Sequence, residues 1–376
     1  MKYSVPSISV ITIVKNNEKL LPRAVNSVLI QCFPDFEHII VNDGSTDATM
    51  EIIEKYAEKH QCVKPLHMTQ NVGRARARNT GMEAARGRYI FFLDSDDYLP
   101  ETALTNLYEV AEKEEADIVF GRIKAFDQAT GTWLPHYYTD RIIDTEKHNF
   151  SLDDHLELVD NHQIVGRLFR KKFLRSNDIK FSTTRRNAED VLFSFFNVFY
   201  AKRLSMVPQK VVYFYNFGNQ LETANENKIF DARDNVLETV QFALKYGSNP
   251  LKKRMLRKGA MFAGDLFREQ KVYQEDADKF KKYLTTLFPL VESVTDDVME
   301  RLPPYQQKFA RALRSYDFEK AYYYWNQRYG EYLNRLAIKK LRYANEKLAN
   351  QLDALYASNS WRITAPLRIA MKLYKK

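Results

Sequence analysis

Short apolar runs alternate with amphipathic stretches over residues 1 to about 125, the pattern of a mostly parallel sheet joined by crossover helices. Residues 8–14 read as a first strand. Leu20, Leu21, Ala24, Val25, Val28 and Leu29 follow it at helical spacing. Residues 37–42 predict a second strand ending at NDGSTD, where Asp47 can cap a helix carrying Ile52, Ile53 and Tyr56. Residues 63–68 supply a third strand, a helix through Ala85 comes after QNVGRARARNTG, and strands at 89–93 and 118–123 bracket another helix. Each polar cluster falls where a strand hands over to a helix, the edge at which open α/β sheets take ligands. From about 126 to 225 the pattern loosens, with an aromatic strand-like piece at 211–217, and predicts an inserted layer beside that edge. Beyond about Asn227 the pattern is helical, with a break at Pro303 and Pro304. The expected organisation is an α/β domain over 1–225, a smaller helical domain over 226–330 that packs on it, and a tail over 331–376. Leu341, Leu348 and Leu355 recur at seven in that tail with Leu352 beside them, which fits a short coiled coil or one long amphipathic helix.

Composition narrows the class. A hydrophobic share of 45% with 13% aromatics excludes a mostly disordered chain. No window reaches about eighteen uninterrupted apolar residues, and MKYSVPSISV lacks the apolar core of a signal peptide, so the expected compartment is the cytoplasm. Cys32 and Cys62 have neither metal-ligand nor redox spacing and read as reduced core residues. A net charge of +9 suits an anionic partner. Nucleic acid is not expected, because no nucleic-acid motif accompanies the charge. The excess base lies late in the chain, with ten Lys or Arg against three acids from Glu331 to Lys376. After Pro366 a short helix would carry Ile369, Ala370 and Leu373 on one side and basic residues elsewhere, which suits peripheral contact with an anionic membrane; packing on a second copy of the chain is the rival use.

Five constellations carry candidate chemistry. In YIFFLDSDDYLP a buried strand runs into Asp94, Asp96 and Asp97, whose mutual repulsion a divalent cation bridging a diphosphate would relieve. An acidic turn capping the next helix fits the same residues. In VNDGSTD the Asp43 carboxylate can accept the imide hydrogen of uracil while Gly44 permits a tight turn; capping and turn formation account for Gly44 and Asp47 but leave Asp43 without a role. Thr12, Val14, Lys15, Asn16 and Asn17 close the first strand, within reach of a ribose and base. In QNVGRARARNTG, Asn71 and Gly73 bring the backbone close, and Arg74 and Arg78 share one helical side suited to a diphosphate, whereas Arg76 points away; a solvated basic helix is the alternative. Finally, Glu189 and Asp190 precede the apolar run VLFSFF, either as helix-capping acids or as a catalytic pair. A sugar transfer that inverts the anomeric centre needs one carboxylate to take the acceptor's proton, for which Asp190 is the candidate, with Glu189 holding the acceptor or raising the proton affinity of its neighbour.

Taken in order, ISVITIVKNNEKLLPRAVNSVLIQ, VNDGSTD, NVGRARARNTGMEAARGRYIFFLDSDD and AEDVLFSFF resemble the inverting glycosyltransferases of family 2, which carry a GT-A fold. The resemblance covers residues 1 to about 225. It implies that Asp43 meets uracil, that Asp94, Ser95 and Asp96 form an Asp-x-Asp element with Asp96 the direct ligand of Mn2+ or Mg2+ and Asp94 nearer the ribose and metal, and that Asp190 is the base. VGRLFRKKFLRSNDIKF looks like the segment linking donor and acceptor sides. Asn42 stands where an acid is common, and Asn216 follows VVYFY where the family often has arginine, which puts a phosphate contact there in doubt. NSWRITAPLR is similar to a tail found on some bacterial polysaccharide glycosyltransferases. The implied activity is metal-dependent transfer from a UDP-sugar to a hydroxyl of a glycan or lipid-linked acceptor in cell-surface polysaccharide synthesis. Two other classes fit parts of the sequence: a non-catalytic sugar-nucleotide or glycan-binding module, and an aspartyl-phosphate receiver.

Overall fold

The computed structural model of the protein describes residues 5–127, 131–134, 136–217, 226–265 and 285–321, with isolated positions 323, 324, 327 and 338. The leucine repeat and the basic tail fall outside the described residues. Four strands, β1 (Ile8–Val14), β2 (Phe36–Asn42), β3 (Val63–His67) and β4 (Tyr89–Phe92), pair in parallel in the order β3-β2-β1-β4. Helices α1 (Leu21–Leu29), α2 (Thr49–Lys59) and α3 (Arg74–Ala84) make the crossovers. Strand β1, apolar apart from Ser9 and Thr12, and the unbroken run of β4 are buried along almost their whole length, as parallel strands covered on both faces require. Helix α3 lies so close to β1 that a Cβ on Gly81 would come within 2.5 Å of the Ile11 side chain. Asp47 accepts the Thr49 amide hydrogen at the start of α2, as its capping role predicts.

Residues 126–217 do not form a separate layer. They complete the same sheet, which continues β4-β8-β5-β9-β7 through β5 (Ile118–Asp127), β7 (Lys147–Phe150), β8 (Arg167–Arg170) and β9 (Leu204–Phe217), with β6 (Thr132–Leu134) on β5. Strand β8 enters antiparallel between β4 and β5, so the segment expected to link donor and acceptor sides contributes a central strand near its start. Strands β5 and β9 run longer than their apolar cores suggest because they pair in parallel from Ile118 to Asp127. The pairing is irregular between Gly121 and Ile123, opposite a stretch containing Pro208, which has no amide hydrogen for the ladder and hides the first half of β9 in the sequence.

Helices α4 (Ala103–Lys113), α5 (Tyr137–Arg141) and α6 (Lys171–Ser176) lie between these strands; α7 (Glu189–Tyr200) comes next, then α8 (Glu226–Tyr246) and α9 (Asn249–Asp265), with a helical stretch at 285–291 and helices Asp296–Met299 and Pro304–Arg314 beyond. The proline pair begins a helix, with Pro304 in its first turn. Helix α8 packs on α7 through Phe242, whose ring centroid lies 5.0 Å from that of Phe196 and 5.1 Å from that of Phe199, so the helical part is joined to the sheet by aromatic contacts. Cys32 is exposed and Cys62 half-buried, so neither is the core residue predicted. Among the described residues no helix is long and apolar enough to cross a membrane.

Candidate active site

The loops that follow β1, β2 and β4 meet at the carboxyl edge of the parallel strands. Asn16, in the left-handed region at φ 50°, accepts the Thr46 amide hydrogen at 2.7 Å and donates its own amide to Ser45 Oγ at 3.0 Å. Asn17 Nδ2 donates to Ser95 Oγ at 3.0 Å, which ties the β1 loop to the β4 loop. Gly44 sits at φ +66° with the backbone of Gln70 and Asn71 only 2.6 Å from where a Cβ would be, so no side chain fits that turn. Two expected site residues have their side chains in the core. Thr12 is fully enclosed and its Oγ1 pairs with His38 Nε2 at 2.9 Å; burial pushes the His38 ring down to about 3, so it is neutral. Val14 packs its side chain in the core with Leu21 and Ile40 and gives its carbonyl to the Asp43 amide at 2.8 Å.

Asp43 has a role within the protein after all. Its carboxylate accepts the amide hydrogens of Val72 at 2.7 Å and Gly73 at 3.1 Å, and Asn71 Oδ1 accepts the Gly73 amide as well, so this acid shapes the loop that starts α3. Each carboxylate oxygen keeps a lone pair.

The three aspartates after β4 part company. Asp97 turns into the protein, 1% exposed, accepting from Tyr213 Oη at 2.6 Å and from the Asn216 amide at 2.7 Å. Burial and the charges of Asp94 and Asp96 raise its proton affinity well above the carboxylate range. Asp94 and Asp96 remain partly open on the site side. Burial, then the charge of Asp94, also pushes the Asp96 carboxyl up. The loop backbone is anchored by Arg23, which donates to the Asp96 carbonyl at 2.8 Å with its guanidinium 4.5 Å above the Tyr98 ring, and by Tyr213, whose hydroxyl accepts the Asp94 amide. Among the described residues no His, Cys, Asp or Glu cluster of three or more gathers as a metal-ligand set. Two partly exposed carboxylates under mutual repulsion, Asp94 with one oxygen 3.3 Å from Arg78 Nη2, fit a hard cation that takes its other ligands from phosphate and water.

The shared side predicted for Arg74 and Arg78 is observed, and it faces Glu189. Arg74 Nε lies 3.0 Å and Arg78 Nη1 2.6 Å from Glu189 Oε1. Burial would raise the Glu189 carboxyl, but Arg78 and then Arg74 outweigh it and hold the group below its ordinary value. Asp190 is half-buried, and its carboxylate has no ion pair with the described residues. Burial first and the charge of Glu189 second push it up to about 6, against the pull of Arg78 and Arg74. Arg76 is exposed on the opposite side.

Several residues here carry no signal in the sequence. Ala188, immediately before the acidic pair, is held at φ 54°, an uncommon conformation for a residue with a Cβ. Asn235 of α8 supports it, donating Nδ2 to the carbonyls of Ala188 at 2.9 Å and Asn187 at 3.2 Å and accepting from Arg185 at 2.7 Å. Replacing Asn235 with alanine should lower stability by about 2 kcal/mol, since buried carbonyls lose their donor. A urea-unfolding midpoint equal to that of the wild type would contradict this. Arg167, buried in β8, donates to the Asn161 carbonyl at 2.9 Å, and its Nη1 has no partner among the described residues. Burial pulls its guanidinium down to about 9, opposed by the charge of Asp190. The one hint of Arg167 in the sequence is a cation inside an apolar run.

Comparison with known proteins agrees with this layout. Residues 9–175 match the profile of glycosyl transferase family 2. Poly(ribitol-phosphate) beta-glucosyltransferase of Bacillus spizizenii is 32% identical over 207 residues, 53% of this chain and 30% of that protein. Poly(ribitol-phosphate) beta-N-acetylglucosaminyltransferase TarP of Staphylococcus aureus is 33% identical over 228 residues, 58% of this chain and 64% of that protein. The chain thus spans less than two thirds of the length of either relative. The crystal structure of S. aureus TarS 1-349 superposes with a TM-score of 0.69 at 22% identity, covering 86% of this chain and 92% of that one. The same TarS fragment has been solved with UDP and with UDP-GlcNAc. The protein therefore shares the fold of the TarS fragment, with a mostly parallel sheet of GT-A type, and its segment 9–175 is similar to glycosyl transferase family 2.

Proposed function

We propose that the protein transfers a sugar from a UDP-sugar to a hydroxyl of a glycan or lipid-linked acceptor in cell-surface polysaccharide synthesis, inverting the anomeric centre. The observation that carries this reading is Asp190, a half-buried carboxylate with no paired cation among the described residues, raised to about 6, on the helix end that Arg74 and Arg78 tie to the carboxyl-edge loops. Such a group is ionised near neutral pH yet basic enough to accept a proton. The acceptor hydroxyl gives its proton to Asp190 as its oxygen bonds to the anomeric carbon. The bond from that carbon to the diphosphate breaks on the opposite face, and UDP departs with the electron pair. Asp43, Asn16, Asn71 and Gly73 are assigned to the uridine, Ser95 to the edge of the ribose pocket, and the exposed half of Arg74 to the diphosphate. Asp94 and Asp96 would hold Mg2+ or Mn2+, which when bound offsets the charge of the leaving diphosphate. The UDP and UDP-GlcNAc complexes of TarS support the donor class, and the two relatives named above support a surface-glycan acceptor. The basic tail over 331–376 is assigned to an anionic membrane surface, with pairing to a second copy as its alternative, and the divisions at 225 and 330 are kept as domain boundaries.

The purified protein, given a panel of UDP-sugars with Mn2+ or Mg2+, should release UDP from at least one of them, with an α-linked donor yielding a β product by NMR. Protonated Asp190 cannot accept a proton. The kcat/KM profile should therefore be flat above about pH 6 and fall roughly ten-fold per unit below it. UDP binding without release or transfer across the panel would leave only a binding module.

A further inference from the structure

Arg78 was expected, with Arg74, to offer its guanidinium to a diphosphate. Its surroundings leave little room for that. The side chain is 8% exposed, with Nη1 on Glu189 Oε1 at 2.6 Å and Nη2 on Asp94 Oδ1 at 3.3 Å. Its guanidinium also sits 5.3 Å from the ring centroid of Phe181, which stacks at 4.0 Å on Phe193 of α7. One guanidinium thus bridges the carboxylate that ends β4 and the carboxylate that begins α7, against an aromatic wall. Arg74, 47% exposed, shares the Glu189 half of this arrangement. A planar fork spanning two carboxylates fixes their separation, and losing it strands a buried charge.

We infer that Arg78 is a positioning residue rather than a diphosphate ligand: it locks the amino end of α7, and with it Asp190, to the donor-side loop at Asp94. The base-bearing helix and the donor-side acid then share one cation, so displacing either is felt by the other. This inference rests on the reading of Asp190 as the base.

The test compares Arg78→Met, Arg78→Lys, Glu189→Gln and the double variant Arg78→Met/Glu189→Gln. Arg78→Met should bind UDP within about three-fold of wild type by calorimetry while kcat falls roughly 100-fold and the donor KM barely moves. The double variant should be no more than about three-fold slower than the slower single variant, and should melt above Arg78→Met because Glu189 is no longer a buried charge short of its main partner. Should Arg78→Met fail to fold, Arg78→Lys keeps the charge but not the fork and should show the same split between kcat and KM. Weakening of UDP binding by ten-fold or more with kcat retained, or effects that multiply in the double variant, would overturn the assignment. UDP affinity and melting need no turnover. If wild type transfers no sugar, the functional reading fails while these two measurements still decide between lock and ligand.

Discussion

Asp190→Asn should reduce sugar transfer by about a thousand-fold, the scale of removing a general base. The change is nearly isosteric and deletes a charge that Glu189 and burial both oppose, so the fold should be at least as stable as wild type. UDP should still bind with an affinity within about two-fold of wild type, because the expected uridine and diphosphate contacts lie on other loops. Steady-state kinetics alongside UDP calorimetry separate the two effects. Turnover within ten-fold of wild type would remove Asp190 from the mechanism and leave the acidic pair as helix-starting residues alone.

Asp96→Ala is expected to lower kcat/KM by roughly 100-fold through loss of cation-assisted departure of the diphosphate. The physical ground is the partial burial of Asp96 beside Asp94, which keeps two like charges close at a site where a cation would relieve them. Because relief of repulsion is local, the variant should fold normally, and Asp97 should keep its bonds to Tyr213 and the Asn216 amide. The decisive comparison is UDP affinity with and without Mn2+. Wild type should bind more tightly with the ion, and Asp96→Ala should bind equally in both conditions. Equal dependence on the ion in the two proteins would place the cation elsewhere or nowhere.

Much of the donor half is legible along the chain. The runs at 8–14, 37–42, 63–68 and 89–93 become strands β1 to β4 with ends shifted by a residue or so, since short, largely apolar runs rich in Val and Ile and bounded by polar turns favour strands. The common side of Arg74 and Arg78 follows from helical spacing alone, and both do reach one partner. The burial of Thr12 and Val14 is not legible in the sequence, because closeness to a strand end does not reveal which face is sealed. A threonine whose hydroxyl pairs with a buried neutral histidine looks, in sequence, like any polar residue near a loop. The first half of β9 was hidden by Pro208 and its polar neighbours, and β8 by its arginines.

By itself the sequence determined the parallel strands, the turns that need Gly44, and the delivery of acids to one edge of the sheet, because these depend on neighbours a few positions apart. What each acid then does was settled by tertiary structure. Arg78 meets Glu189 across 111 positions, Asp97 meets the Asn216 amide across 119, and Asn235 holds the carbonyl of Ala188 from 47 away. Whether a carboxylate is paired, buried or left open fixes its charge and proton affinity, and that environment is assembled only when distant segments pack.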